Sequence, residues 1–321
     1  MRLVPTFLKE KDRALFFRLM KRSQIEHRYC CMPVDEIARS FYTSGPGAFP
    51  TTETRMLMYK EHAPRLAHEA ARQLLTEIGR EEITHLVVGS CTGFYAPGVD
   101  FDLIRSLDLR PTVQRRLIGF MGCYAGLSVL QTAHEIVRAN PESKVLTVNV
   151  ELSSLHLQKP TTLEQVMGFA QFADGCGAAL VSSEPGGLQL HGFHSAILSN
   201  HASAITWDIT DQGFEMYLDP SLPRILAEHF PTELFPKTQS PALWAIHPGG
   251  KSILDVVQKR LELNDEDMAA SRSVLKRFGN MSSATILFVL KEMMDAGQES
   301  PGYAMAFGPG LAIESMRFTK L

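Results

Sequence analysis

Strand-like and helix-like stretches alternate along this chain with few long loops between them. His85–Ser90 reads as a buried strand, and Lys144–Glu151, with Val145, Leu146, Val148 and Val150, as a strong strand. Arg116–Phe120, Cys176–Ser182, Leu188–Ile197 and Ala242–Ile246 read as further strands. Apolar positions recur at helical spacing over Thr54–Ile78, Asp102–Leu107, Leu127–Val137, Ser252–Leu261, Asp267–Phe278 and Ser282–Met294. Pro64 is expected to interrupt the first of these helices and Gly79 to cap it. Two closing strands, Tyr303–Phe307 and Leu311–Phe318, flank the turn Gly308-Pro309-Gly310. The alternation predicts an α/β protein with two similar halves, residues 1–184 and 185–321. Mainly parallel sheets covered by crossover helices are expected, with a site between the halves.

Composition narrows the class without naming a chemistry. The 321 residues are 45% hydrophobic, enough to fill a core in each half. A net charge of −3 and the absence of a Lys/Arg block give no electrostatic case for a nucleic-acid partner. No apolar run is long enough to span a bilayer, and no signal-peptide pattern opens the chain, so a cytoplasmic protein is expected. The five cysteines (Cys30, Cys31, Cys91, Cys123, Cys176) are odd in number and lack paired metal spacing, which suits a reducing compartment. The histidines show no two-His, one-carboxylate pattern, so no metal is expected.

Three polar residues stand at element ends, where α/β folds place their chemistry. Cys123, in Gly119-Phe-Met-Gly-Cys-Tyr-Ala-Gly126, follows a strand and opens a helix. There the positive end of the helix dipole favours thiolate. His247 ends a strand in Ile246-His-Pro-Gly-Gly250, and Asn280 follows a helix end in Phe278-Gly-Asn-Met-Ser-Ser283. Singly, each has an ordinary structural explanation: a small buried apolar residue, a turn closure, a residue after a glycine cap. Together they form the Cys, His and Asn set of an acyl-transfer site. Glu151, at a strand end, is open between a catalytic acid and a brace for a loop. The other four cysteines read as structural.

These motifs, with Leu109-Arg-Pro-Thr-Val113, Phe172-Ala-Asp-Gly175 and Phe307-Gly-Pro-Gly-Leu311, resemble in order and spacing the type III polyketide synthases, the chalcone synthase-like group. The likeness runs from about Arg22 to the C-terminus. It implies a thiolase fold of layered αβαβα form and a homodimer. It also implies decarboxylative condensation of malonyl-CoA onto an acyl-CoA starter, followed by cyclisation to a pyrone, resorcinol or related aromatic product. CoA thioesters are then substrates, and no cofactor is expected.

Carried over position by position, Cys123 is the acyl-bearing nucleophile, held as a thiolate by His247. His247 and Asn280 become the donors to the thioester oxygen. Phe172 matches a gating aromatic. Met216 stands in place of a second gating Phe, which implies a looser entrance. Trp207 replaces a small residue and His156 a Thr of the plant enzymes, which implies a cavity closer to bacterial and fungal makers of alkylpyrones and alkylresorcinols. Thr92, Ser282 and Gly250 are assigned to the substrate cavity, and Arg28 to the CoA phosphates. Family members begin with a strand before their first helix. This chain opens at Met1-Arg-Leu-Val-Pro-Thr-Phe7 inside that helix, so the first core strand is expected to be missing. Two other readings stay open: a ketoacyl synthase working on acyl carrier protein, and an inactive homologue serving as a dimer partner.

Overall fold

The computed structural model describes residues 10–37, 41–42, 49–76, 78–158, 170–235, 243–294 and 299–321. Helix α1 (Glu10–Ser23) precedes α2 (Thr52–Leu74), whose N-terminus is capped by the Thr51 hydroxyl accepting from the Thr54 N–H at 3.2 Å. Then follow β1 (His85–Ser90), α3 (Val99–Ser106), β2 (Gln114–Gly119), α4 (Ala125–Ala139), β3 (Val145–Leu152) and β4 (Asp174–Val181). The second half has β5 (Leu188–Ile197), β6 (Ile205–Thr210), β7 (Gly213–Leu218), α5 (Leu222–His229) and β8 (Leu243–Ile246). It closes with α6 (Lys251–Leu261), α7 (Ala269–Phe278), α8 (Thr285–Met294), β9 (Ser300–Gly308) and β10 (Ala312–Lys320).

Helix α2 runs through Pro64 without the expected interruption. Its buried stripe explains why: Tyr59, Ala63, Ala67 and Ala71 repeat every fourth residue and pack on β3 and β4. The small side chains let helix and sheet approach closely, and that burial outweighs the one backbone bond a proline removes.

The first sheet has the order β2-β1-β3-β4, with β1, β2 and β3 parallel and β4 antiparallel to β3. The second has the order β5-β10-β9-β8, and there only β8 and β9 run parallel. The expectation of mainly parallel sheets therefore holds for the first half and fails for the second. The physical reason is the connection between β9 and β10, a single turn at Pro309–Leu311. A parallel pair needs a crossover of a dozen residues or more.

Helices α4 and α8 lie between the two sheets. Leu127 and Leu130 of α4 share one cluster with Ile286, Val289, Leu290 and Met293 of α8, with Ala304 and Ala306 of β9 and with Met316 and Phe318 of β10. Outside the first sheet lies α2, and outside the second lie α5, α6 and α7, giving the expected αβαβα layering. The expectation that Met1–Phe7 already lies inside the first helix, with the first core strand missing, falls on residues 1–9, outside the described residues. Among the described residues, no helix is long and apolar enough to cross a membrane.

A two-stranded hairpin, β6–β7, lies apart from both sheets and had no counterpart among the expected strands. Its turn end rests on the start of α2. The Thr52 hydroxyl donates to the Thr210 carbonyl and accepts from the Gly213 N–H at 2.7 Å, and Thr52 N–H donates to Asp211 O at 2.9 Å. Gly213 has φ +109°, and a Cβ there would lie 2.6 Å from Nε of the fully buried Arg55, so only glycine fits.

Candidate active site

Strand β2 delivers the chain to a turn at Phe120–Tyr124, and α4 begins at Ala125. Cys123 therefore sits just before the first helical turn, buried to 9% exposure between the two sheets. Gly122 has φ +84°, and a Cβ at that position would lie 2.1 Å from Cδ of Pro309. The β9–β10 turn thus packs directly on the nucleophile turn, and any side chain at 122 would force them apart. The buried Cys91 thiol accepts the Gly122 N–H at 3.0 Å and fixes the same turn from the other side.

His247 and Asn280 reach this point from the second half. The His247 N–H donates to Met305 O at 2.8 Å, extending the β8–β9 ladder by one rung. Asn280 follows α7 and forms an isolated bridge with Phe172: Asn280 N–H donates to Gln171 O at 2.9 Å and Ala173 N–H to Asn280 O at 2.8 Å. The Asn280 amide is oriented by its own bonds, Oδ1 accepting from Ser282 N–H at 2.8 Å and Nδ2 donating to Gly249 O at 3.2 Å. That leaves one Nδ2 proton for another acceptor.

Cys123, His247 and Asn280 line one cavity of about 290 Å³, together with Phe172, Met216 and the Phe307–Pro309 segment. A second pocket of about 20 Å³ lies behind it, lined by Cys91, Thr92, Ser153, Trp207 and Ser282. Phe172 and Met216 border both. The larger space suits a small ligand, and the smaller one has room for about a single water.

Comparison with known proteins decides the family. The family model described as "Chalcone and stilbene synthases, N-terminal domain" matches residues 5–185, and its C-terminal counterpart matches residues 189–321. The chain belongs to this family, the type III polyketide synthases. Among solved structures, it is similar to the C-terminal type III polyketide synthase domain of Steely1, a type I/III hybrid from Dictyostelium. The two are 26% identical with a TM-score of 0.89, covering 99% of this chain and 93% of that domain.

Within this type III polyketide synthase, five of the residues singled out from sequence meet in the larger cavity: Cys123, His247, Asn280, Phe172 and Met216. Thr92, Trp207 and Ser282 line the smaller one. Three residues do not line either. His156 is fully buried, stacked on Phe214 and edge-on to Trp207, so its assignment to the substrate cavity is corrected: it stands behind the wall. Gly250 instead makes a close approach to Gln171, whose Oε1 would lie 2.2 Å from a Cβ at 250. Arg28 is half-buried, and its Nη1 donates to Ala170 O at 2.5 Å, bracing the segment that carries Phe172. Burial lowers its guanidinium to about 10.

Glu151 resolves to the brace. It accepts from Cys91 N–H at 3.0 Å, from the Thr92 hydroxyl at 2.8 Å and from the Ser283 hydroxyl, and has no exposed surface. Burial raises its carboxyl to about 7, against those three bonds. It ties the Cys91–Thr92 segment of the first half to Ser283 of the second. The sequence signal was an acid at the end of a strand rich in Val, which signals burial but not what is bound.

The electrostatics of the cavity differ from expectation. Burial pushes the Cys123 thiol up to about 11, with the Glu151 carboxylate adding to it, while bonds from Ser282 and Asn280 favour the thiolate. Burial lowers His247 to about 3. Neither ring nitrogen of His247 has a hydrogen-bond partner, so the expected thiolate–imidazolium bond is not formed in this arrangement. Each charge alone is opposed by desolvation, and the ionised forms are favoured only when they arise together.

Proposed function

We propose that this chain loads an acyl-CoA starter on Cys123 and extends it with malonyl-CoA. The observation that carries the reading is His247: fully buried, lining the cavity with Cys123 and Asn280, and unpartnered at both ring nitrogens. A buried polar atom without a partner costs about 1–3 kcal/mol, and a site that tolerates two has a use for them.

In the loading step, His247 takes the Sγ proton as sulfur attacks the starter's thioester carbonyl. CoA leaves with a proton, and the acyl group stays on Cys123. Malonyl-CoA then loses CO2, and the electron pair of the broken C–C bond becomes an enolate. The ring N–H of His247 and the second Nδ2 proton of Asn280, which favours the Cys123 thiolate before loading, stabilise the enolate oxygen. The enolate carbon attacks the acyl carbonyl, Cys123 leaves, and the β-ketoacyl chain is released on CoA for another round. Desolvation in the buried cavity strengthens both donors. Members of the family use these two CoA esters and are usually dimers, and we take a homodimer for this chain as well. A pyrone- or resorcinol-type product is taken from the family resemblance at Trp207, which lines the small inner pocket.

The test separates the two half-reactions. Cys123→Ala is expected to abolish condensation of an acyl-CoA with malonyl-CoA while retaining malonyl-CoA decarboxylation, measured as CO2 release. Polyketide product from that variant would overturn the nucleophile assignment. Dependence of the unaltered protein on acyl carrier protein would favour the ketoacyl synthase reading.

A further inference from the structure

Residues 26–31 form a strap across the two segments that carry Asn280 and Phe172. At one end Glu26 N–H donates to Lys276 O, in the last turn of α7, at 2.8 Å. At the other, Tyr29 O accepts from Asp174 N–H at 2.9 Å, and Cys31 N–H donates to the buried Asp174 carboxylate at 2.7 Å. The Tyr29 ring also packs on Phe278, with centroids 5.9 Å apart. Arg28 lies between these ties, so its backbone is held on both sides.

The Arg28 side chain crosses the space between the two segments. A Cβ at Gly279 would lie 2.8 Å from Arg28 Cγ, so the aliphatic stem is packed on the α-carbon next to Asn280. Beyond the stem, Nη1 donates to Ala170 O at 2.5 Å. Ala170 leads into Gln171, whose carbonyl accepts the Asn280 N–H, and Ala173 N–H returns to Asn280 O. One side chain therefore touches both sides of the short bridge that carries the Asn280 amide. The guanidinium, lowered only to about 10, stays charged at neutral pH, and a charged donor makes the stronger bond to a carbonyl.

We propose that Arg28 is a positioning residue for Asn280: it holds the Ala170–Ala173 segment and the Gly279 turn together, and so keeps the second Nδ2 proton of Asn280 directed at Cys123 and at the enolate oxygen formed beside it. The proposal rests on the reading that Asn280 is an oxyanion donor. It departs from the assignment of this residue to CoA phosphates, because the guanidinium is half-buried and bonded to a backbone carbonyl of the protein itself. Without Arg28 the two backbone bonds of the bridge remain, but the bridge is free to tilt as a unit. A misplacement of about 1 Å at such a donor costs on the order of 100-fold in rate.

The first test separates the two roles by substrate. Arg28→Met and Arg28→Lys are assayed for decarboxylation of malonyl-CoA and of the malonyl thioester of N-acetylcysteamine, which carries no phosphate. For Arg28→Met, kcat/KM is expected to fall at least tenfold with both esters, while the KM for malonyl-CoA changes less than twofold. Arg28→Lys, with a stem of similar length and a charged donor, is expected to recover activity to within threefold of the unaltered protein. Unchanged kcat/KM, or a loss confined to malonyl-CoA and carried by its KM, overturns the proposal. Arg28→Gln replaces Arg28→Met in every arm if the latter does not fold.

The second test needs no turnover. A bond from Asn280 favours the Cys123 thiolate, so alkylation of that sulfur reads the placement of the amide. Iodoacetamide alkylation of Cys123, followed on its own peptide by mass, is expected to slow at least threefold in Asn280→Ala and in Arg28→Met. Combining the two should slow it no further, since Arg28 acts through Asn280. Losses that multiply, or a rate that either single substitution leaves unchanged, overturn the proposal. If the unaltered protein decarboxylates no malonyl-CoA, the function proposed above falls while the alkylation cycle still decides the role of Arg28.

Discussion

Two histidines of this protein share their burial and differ in almost everything else. His156 and His247 are both essentially without exposed surface, and desolvation lowers each to about 3. His156 has a partner on each nitrogen and an aromatic ring on its face. His247 has no partner on either nitrogen and faces a cavity. Burial and a displaced pKa therefore do not distinguish a structural imidazole from a reactive one. Unused hydrogen-bonding capacity beside an open space does.

Substitution of His247 should produce the largest functional effect. His247→Gln is expected to lower malonyl-CoA decarboxylation on the order of 100-fold or more, because one of two oxyanion donors is lost. It should also leave Cys123 to titrate as a buried thiol, so iodoacetamide alkylation of the variant should begin at higher pH than in the unaltered protein. Identical alkylation profiles would show that the imidazole does not assist ionisation of the sulfur.

Next in size is the effect of the two rings on stability against pH. Unfolded histidine binds its proton near 6.5, while the folded rings resist it to about 3. Between these values the unfolded state holds more protons, so stability rises with pH through this window and is level above it. Each ring contributes up to about 5 kcal/mol over the whole window. Urea unfolding at pH 4 and 6.5 should therefore show a rise that either His156→Gln or His247→Gln reduces. A rise unaffected by both would mean that the rings are wetter than the packing implies.

Glu151 gives a smaller effect of opposite sign. Its carboxyl is raised from 4.5 to about 7. Between those values the folded state holds the extra proton, so stability falls as pH rises through the window, by up to about 3 kcal/mol. Glu151→Gln should remove that decline when unfolding is compared at pH 5 and 8. A steeper decline would mean that the carboxylate is stabilised by its three donors beyond its desolvation cost.

The contrast between the histidines also marks what could be read from sequence. Cys123, His247 and Asn280 were legible because each follows an element end in a glycine-marked turn, a local signal that survives without coordinates. Phe172 and Met216 came through the family resemblance, and the cavity holds both. His156 was misplaced because position along the chain does not tell which side of a wall a ring occupies. That depends on Trp207 and Phe214, whose hairpin is short and carries polar residues between its apolar ones, and so did not read as two strands. Helices α1 and α5 were likewise not assigned from their pattern. Strand direction in the second sheet was hidden because an apolar run looks the same in either direction. The brief β9–β10 turn was the available clue.

The bridge between Phe172 and Asn280 bears on how substrates enter. Two backbone hydrogen bonds, from Asn280 N–H to Gln171 O and from Ala173 N–H to Asn280 O, join the backbone on either side of Phe172 to Asn280. A loop that swung Phe172 aside would drag Asn280 out of register with Cys123. A displacement of the Phe172 ring that leaves Asn280 in place is therefore a rotation about its own side-chain bonds, with the backbone on both sides held. Side-chain movement at 172 and the placement of the Asn280 amide are in this way mechanically separated.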